Sequence, residues 1–171
     1  MTNQISNVVK KMIIIGIALA LGFIGLMFWG RSSQTAGVSQ NSGTISSLAT
    51  SEKLYDFGTI SMKNGLVNHV FTVTNSSDKD IYVKKINTSC MCTNAYIESV
   101  SGEKGPFGME GMGYLPPANE TIKVGESRGI KVVYDPNAHG PAGVGAIDRF
   151  VYLTDTSGGA FQLEIKAVVT P

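Results

Sequence analysis

Val67-Asn68-His69-Val70-Phe71-Thr72-Val73-Thr74 sets the period of this chain. One parity carries Val67, His69, Phe71 and Val73; the other carries Asn68, Val70, Thr72 and Thr74. Alternation of this kind, in residues that are β-branched or aromatic, predicts a half-buried strand rather than a helix. The same period returns at Ile130, Val132 and Tyr134, and again at Phe161, Leu163 and Ile165. Around Val151 and Leu153 the intervening Phe150 and Tyr152 are also large, so that strand is expected to make apolar contacts on both faces. Leu54 to Ile60 and Ile81 to Ile86 extend the series, with a slip of alternation at Lys84-Lys85 that predicts a bulge.

Turn chemistry separates these runs: Lys63-Asn64-Gly65, Asn75-Ser76-Ser77-Asp78, Val124-Gly125-Glu126-Ser127 and Thr156-Ser157-Gly158-Gly159. Seven or eight short strands, with turns about every ten residues, predict an all-β immunoglobulin-like sandwich. A central Trp and a widely spaced Cys pair are both lacking, which excludes an antibody-like domain. Two stretches break the rhythm and are expected as loops: Ser99 to Asn119, rich in glycine, and Asn137 to Gly145.

The amino-terminal part has a different composition. Met12 to Gly30 holds nineteen residues without a charge, enough for a helix of about 28 Å, close to the thickness of bilayer hydrocarbon. Lys10 and Lys11 precede it and Arg31 follows, so the positive excess predicts a cytoplasmic amino terminus. A cleavable signal peptide is the rival reading, but its apolar region is usually shorter and a cut after Ala36 would place Gln34 where a small residue belongs. The expected organisation is a cytoplasmic terminus (1–11), one transmembrane signal-anchor (12–30), a Ser/Thr/Gln-rich linker (31–50) and a domain (51–171) in the periplasm or on the outer face of the membrane. With 14 basic and 13 acidic side chains the chain is near neutral, and no long basic run exists to displace counterions, so nucleic acid is excluded as a partner.

Tyr55-Asp56-Phe57-Gly58-Thr59-Ile60, the alternation Val67-x-His69-x-Phe71-x-Val73-x-Asn75, Ser89-Cys90-Met91-Cys92-Thr93, and Val124-Gly125-Glu126 ahead of Ile130-x-Val132-x-Tyr134-Asp135 resemble, in order, the bacterial DUF1573 family. The resemblance spans roughly residues 53 to 169. It implies an exported domain similar to the ASH, MSP and PapD-like branch of immunoglobulin-type sandwiches, and it implies fold and compartment rather than an activity. The family pattern has Gly between the cysteines and Pro before the later Gly-Glu; here those positions are Met91 and Val124.

Cys90 and Cys92 are the only cysteines. In an extended segment their side chains leave the same face, which permits three uses. They can form a structural pair, reduced or bridged, although a bridge over one residue closes a tiny loop and stabilises little. They can hold a soft metal such as Cu(I), with Met109 and Met112 of the glycine-rich loop as thioether ligands and His69 or His139 as imidazole ligands. They can also exchange with a partner's thiols, though no basic residue stands next to them in sequence to activate a thiolate. His69, on the parity of Phe71, is expected at the rim or in the core; His139 is expected in solvent.

G-x-S-x-G, H-E-x-x-H and phosphate-loop patterns are missing from the sequence, and no enzymatic activity is expected. The expected role is contact with an unidentified extracytoplasmic protein, with Phe107, Met109, Met112, Tyr114 and Leu115 as the contact residues. No cofactor is expected in that reading; copper is the alternative.

Overall fold

The computed structural model describes residues 46–99 and 102–171. The predicted anchor (12–30), the cytoplasmic terminus (1–11) and most of the linker lie outside the described residues. No helix among the described residues is long and apolar enough to cross a membrane.

Among the described residues, ten strands form two five-stranded sheets packed as a β-sandwich. The first sheet has the order β1 (Leu48–Ala49), β3 (Val67–Asn75), β8 (Ser127–Tyr134), β5 (Thr93–Ser99), β6 (Gly102–Phe107). The second has the order β2 (Leu54–Ser61), β10 (Ala160–Thr170), β9 (Gly145–Asp155), β4 (Ile81–Thr88), β7 (Glu120–Ile122). Every pairing is antiparallel except that of β2 with β10. The register follows from the alternation. Phe71 and Val73 of β3 face inward opposite Ile130 and Arg128 on β8, and Val151 and Leu153 of β9 face inward opposite Leu163 and Phe161 on β10. Phe150 and Tyr152 are half-buried on the other face of β9, where their rings stack. The predicted slip at Lys84-Lys85 appears as a break in the β4–β9 register between Val83 and Lys85.

Two boundaries depart from the sequence reading. The domain starts before residue 51: Leu48 is buried, and β1 pairs with the end of β3. The stretch from Ser99 to Asn119 is not one loop, because β6 extends the first sheet and carries Phe107 into the core. Its sequence, Gly-Glu-Lys-Gly-Pro-Phe, has little strand character, and only an edge position tolerates that proline. Beside β6, Glu120 of β7 is buried between Lys104 Nζ and Arg128 Nε. That ion-paired group ties the edge of one sheet to the edge of the other. Burial alone would raise the Glu120 carboxyl, but hydrogen bonds from Lys104 and Arg128 outweigh it and hold the group below its ordinary range.

Candidate functional site

The connection from β4 to β5, Ser89-Cys90-Met91-Cys92, crosses from one sheet to the other at one end of the sandwich. Its backbone is held on every side. Ser89 N–H donates to the Phe150 carbonyl, and the Ser89 hydroxyl accepts from Phe150 N–H, each at 2.9 Å. Thr93 N–H donates to the Cys90 carbonyl, closing a tight turn, while Asp135 N–H donates to the Cys92 carbonyl. The buried Thr88 hydroxyl lies 3.0 Å from both the Cys90 and Thr93 carbonyls. The turn therefore bends the backbone so that both sulfurs meet, and Cys90 and Cys92 form a disulfide.

Two cationic or titratable groups converge on this pair. His139, in the β8–β9 connection, brings Nε2 to 3.2 Å from Cys90 Sγ. Arg149 of β9 donates from Nε to Cys92 Sγ at 3.3 Å. The two sulfurs and an imidazole nitrogen of His139 all lie within 4.8 Å of one another. Cys92 is only 2% exposed, Cys90 is half-buried and His139 is exposed, so the cluster opens to solvent on the Cys90 side. The His139 loop is itself fixed: Asn137 N–H donates to Asp135 Oδ1, Asn137 Nδ2 reaches the Met62 carbonyl, and Gly140 N–H returns to the Asn137 carbonyl. Beneath the cluster the Tyr134 phenol is raised by burial, with the Arg149 charge acting against that rise.

His139, expected in solvent, is exposed but stands against Cys90. Basic groups absent from the sequence neighbourhood of the cysteines are supplied by the fold. His69 is elsewhere: its ring stacks on Tyr55 with centroids 3.6 Å apart, and its Nε2 lies 2.8 Å from Glu52 Oε2. Met109 and Met112 follow β6, and Met109 forms an isolated parallel bridge with Thr88, two residues before Cys90. With Met91, Tyr114 and Leu115 they line a cavity of about 270 Å³ that neither cysteine touches. Met91 is 49% exposed, Met112 58% and Tyr114 88%. Phe107, expected on the contact surface, is corrected to a core residue at 1% exposed, because β6 turns it inward opposite Ala95.

Fold and site together define a two-sheet β-sandwich module whose inter-sheet crossover carries a Cys-x-Cys pair. Residues 48–108 match the family model described as a protein of unknown function (DUF1573), and that stretch contains both cysteines. No curated protein matches the chain. Among solved structures, the chain is similar to a protein of unknown function from Porphyromonas gingivalis W83, at 12% identity and a TM-score of 0.51, over 76% of this chain and 50% of that one. It is also similar to the secreted serine protease VesC from Vibrio cholerae, at 15% identity and a TM-score of 0.45, over 72% of this chain and 24% of that one. The periplasmic chaperone SfaE matches at 16% identity and a TM-score of 0.36, over 72% of this chain and 57% of that one.

Val124 and Met91, the two positions at which the sequence resemblance is broken, each make a contact of their own. Val124 N–H donates to Asp80 Oδ1 at 3.1 Å, and proline has no such donor. Met91 gives the methionine-lined cavity a wall that glycine would leave open.

Proposed function

We propose that the protein is a membrane-tethered, extracytoplasmic module of immunoglobulin type that works by protein contact rather than catalysis. Its contact surface is the apolar patch formed by Met91, Met109, Met112, Tyr114 and Leu115. The observation that carries this reading is the grouping of exposed methionines and a tyrosine around one cavity at the crossover end. Flexible, polarizable thioethers adapt to an incoming apolar side chain, and exposed apolar side chains that cluster mark interaction sites more often than scattered ones do.

The uncharged stretch 12–30 with its basic flank supports the tether. A bridged Cys pair supports an oxidising compartment. The two mainly antiparallel sheets support the immunoglobulin-type assignment. The family domain extends in this reading from residue 48 to about 169, since strands β7, β8, β9 and β10 complete both sheets beyond the matched stretch.

The test places a photo-crosslinking residue at position 112 or, as a control, at position 157 of the full-length chain in intact cells. A discrete adduct from position 112 that disappears with Tyr114→Lys, and does not form from position 157, is the expected result. Equal adducts from both positions, or none from position 112, would overturn the reading.

A further inference from the structure

We infer that Cys90, Cys92 and His139 form a thiol-gated Cu(I) site, closed while the cysteines are bridged and opened when a dithiol reductant separates them. This goes beyond the contact surface above and does not depend on it.

The donor set chooses the metal class. Two cysteine sulfurs and one imidazole nitrogen within 4.8 Å of each other are soft and borderline donors, and no carboxylate belongs to the group. Thiolates select Cu(I) or zinc over hard cations, and zinc in a structural site asks for four ligands. The charge at Arg149 separates these two. A Cu(I) ion between two thiolates leaves the cluster with one net negative charge, which the guanidinium 3.3 Å from Cys92 Sγ offsets. Zinc between the same thiolates is already neutral, and the guanidinium then faces no net charge. Arg149 is accordingly a positioning residue: its hydrogen bond to a ligating sulfur orients the ligand and tunes its basicity.

The same geometry gives the gate a direction. A thiolate of the reductant attacks the more exposed Cys90 Sγ, forming a mixed disulfide. The electron pair of the broken bond goes to Cys92 Sγ, where the Arg149 N–H stabilises the leaving thiolate. The reductant's second thiol then attacks its own sulfur in the mixed disulfide and releases Cys90. The protein gains two electrons and two protons, and the reductant becomes a disulfide. Cu(I) binding displaces the two thiol protons, and His139 Nε2, already 3.2 Å from Cys90 Sγ, supplies the third ligand.

The full-length chain in detergent, reduced by a phosphine and desalted without oxygen, is titrated with Cu(I) against the chromogenic chelator bicinchoninate. One Cu(I) per reduced chain is expected, with none in the bridged form. His139→Ala and Arg149→Met are each expected to weaken Cu(I) by about tenfold or more, and Arg149→Met also to shift the Cu(I)-to-Zn(II) preference toward zinc. Met112→Lys should leave the stoichiometry unchanged, and X-ray absorption should show two sulfurs and one nitrogen on copper. Cys90→Ser, which leaves Cys92 in its buried place, is expected to lose Cu(I) while keeping the wild-type circular dichroism, which separates loss of a ligand from misfolding.

The proposal is overturned if reduced wild type binds no more Cu(I) than the double variant Cys90→Ser with Cys92→Ser. Displacement of Cu(I) by stoichiometric Zn(II) would overturn it too. So would a loss of copper in Met112→Lys, which would move the metal to the methionine-lined cavity. These outcomes are independent of whether position 112 crosslinks to a partner.

Discussion

The two ends of the sandwich spend their polar groups in opposite ways. At the end away from the cysteines, Asn75 and Asp155 are buried; Asp155 is bonded by its own turn, and Asn75 by its own turn and by the Ile122 carbonyl. Asn75 donates to the Lys79 and Ile122 carbonyls and accepts from the Ser77 backbone and hydroxyl. Asp155 Oδ1 accepts from the backbone of Ser157 and Gly159 and from the Ser157 hydroxyl. Gly159 lets the Ser46 backbone come close: a Cβ there would lie 2.9 Å from the Ser46 nitrogen. At the cysteine end the backbone is equally well bonded, but the sulfurs, the imidazole and the guanidinium come from three separate connections or strands and face an open side. Closed local bonding fixes a turn; groups from distant segments that converge beside solvent leave chemistry available.

The largest expected effect on stability therefore belongs to the closed end. Asn75→Ala leaves the Ile122 and Lys79 carbonyls without their donor and removes the acceptor for Ser77, a loss of about 2–4 kcal/mol. Urea unfolding of the variant should show it as a lower midpoint. An unchanged midpoint would erase the proposed contrast between the ends.

Next comes acid sensitivity. Burial alone would raise the Asp155 carboxyl, yet hydrogen bonds from the Ser157 hydroxyl and the Gly159 and Ser157 backbone outweigh it and hold it below its ordinary 3.8. Glu120 is likewise held below its ordinary 4.5. For a depressed carboxylate the stabilisation is complete above the unfolded value and is lost as pH falls through the folded one. Stability should thus begin to fall as the pH drops through the unfolded values of 4.5 and 3.8, where the unfolded chain takes up protons that the folded chain still refuses, and should go on falling toward the lower folded values. Asp155→Asn, which keeps an acceptor but cannot titrate, should flatten part of that fall in unfolding curves taken from pH 5 downward. A slope identical to wild type would remove Asp155 from the account.

Local alternation carried most of the fold. β3, β8, β9 and β10 follow from their period, and the slip at Lys84-Lys85 marked a true register break. β1, β6 and β7 were not legible for a physical reason: two- or three-residue strands show no period, and β6 carries only one apolar residue, Phe107. The cysteine pair was visible as a motif and His139 as one of two candidate imidazole ligands, but which histidine stands against the sulfurs depends on tertiary structure. Arg149 did leave a signal. It shares the inward parity of Ile147, Val151 and Leu153, and a lone arginine at an inward position needs a buried or polar partner, which here is Cys92 Sγ.

At the open end the Cys-x-Cys bridge should matter less for stability than for chemistry. A bridge that skips one residue constrains the unfolded chain far less than the about 3 kcal/mol of a 15-residue loop. Cys90→Ser with Cys92→Ser should therefore lower stability by less than about 2 kcal/mol, while abolishing thiol titration and copper binding. A loss as large as that of Asn75→Ala would make the bridge a structural staple and the two ends alike.

The smallest expected effect falls on the methionine-lined patch. Tyr114 is 88% exposed and Met112 58%, so neither loses buried contacts when replaced, and surface changes of this kind usually stay within about 0.5 kcal/mol. Met112→Lys and Tyr114→Lys should thus unfold at the wild-type urea concentration. If the patch is a contact surface, they should nevertheless lose the crosslinked adduct, because a charge placed beside the cavity would have to be desolvated on binding. Stability unchanged with the adduct lost is the signature of a residue kept for contact. A midpoint lowered by more than about 1 kcal/mol would instead mean that the patch covers the sandwich end and belongs with its packing.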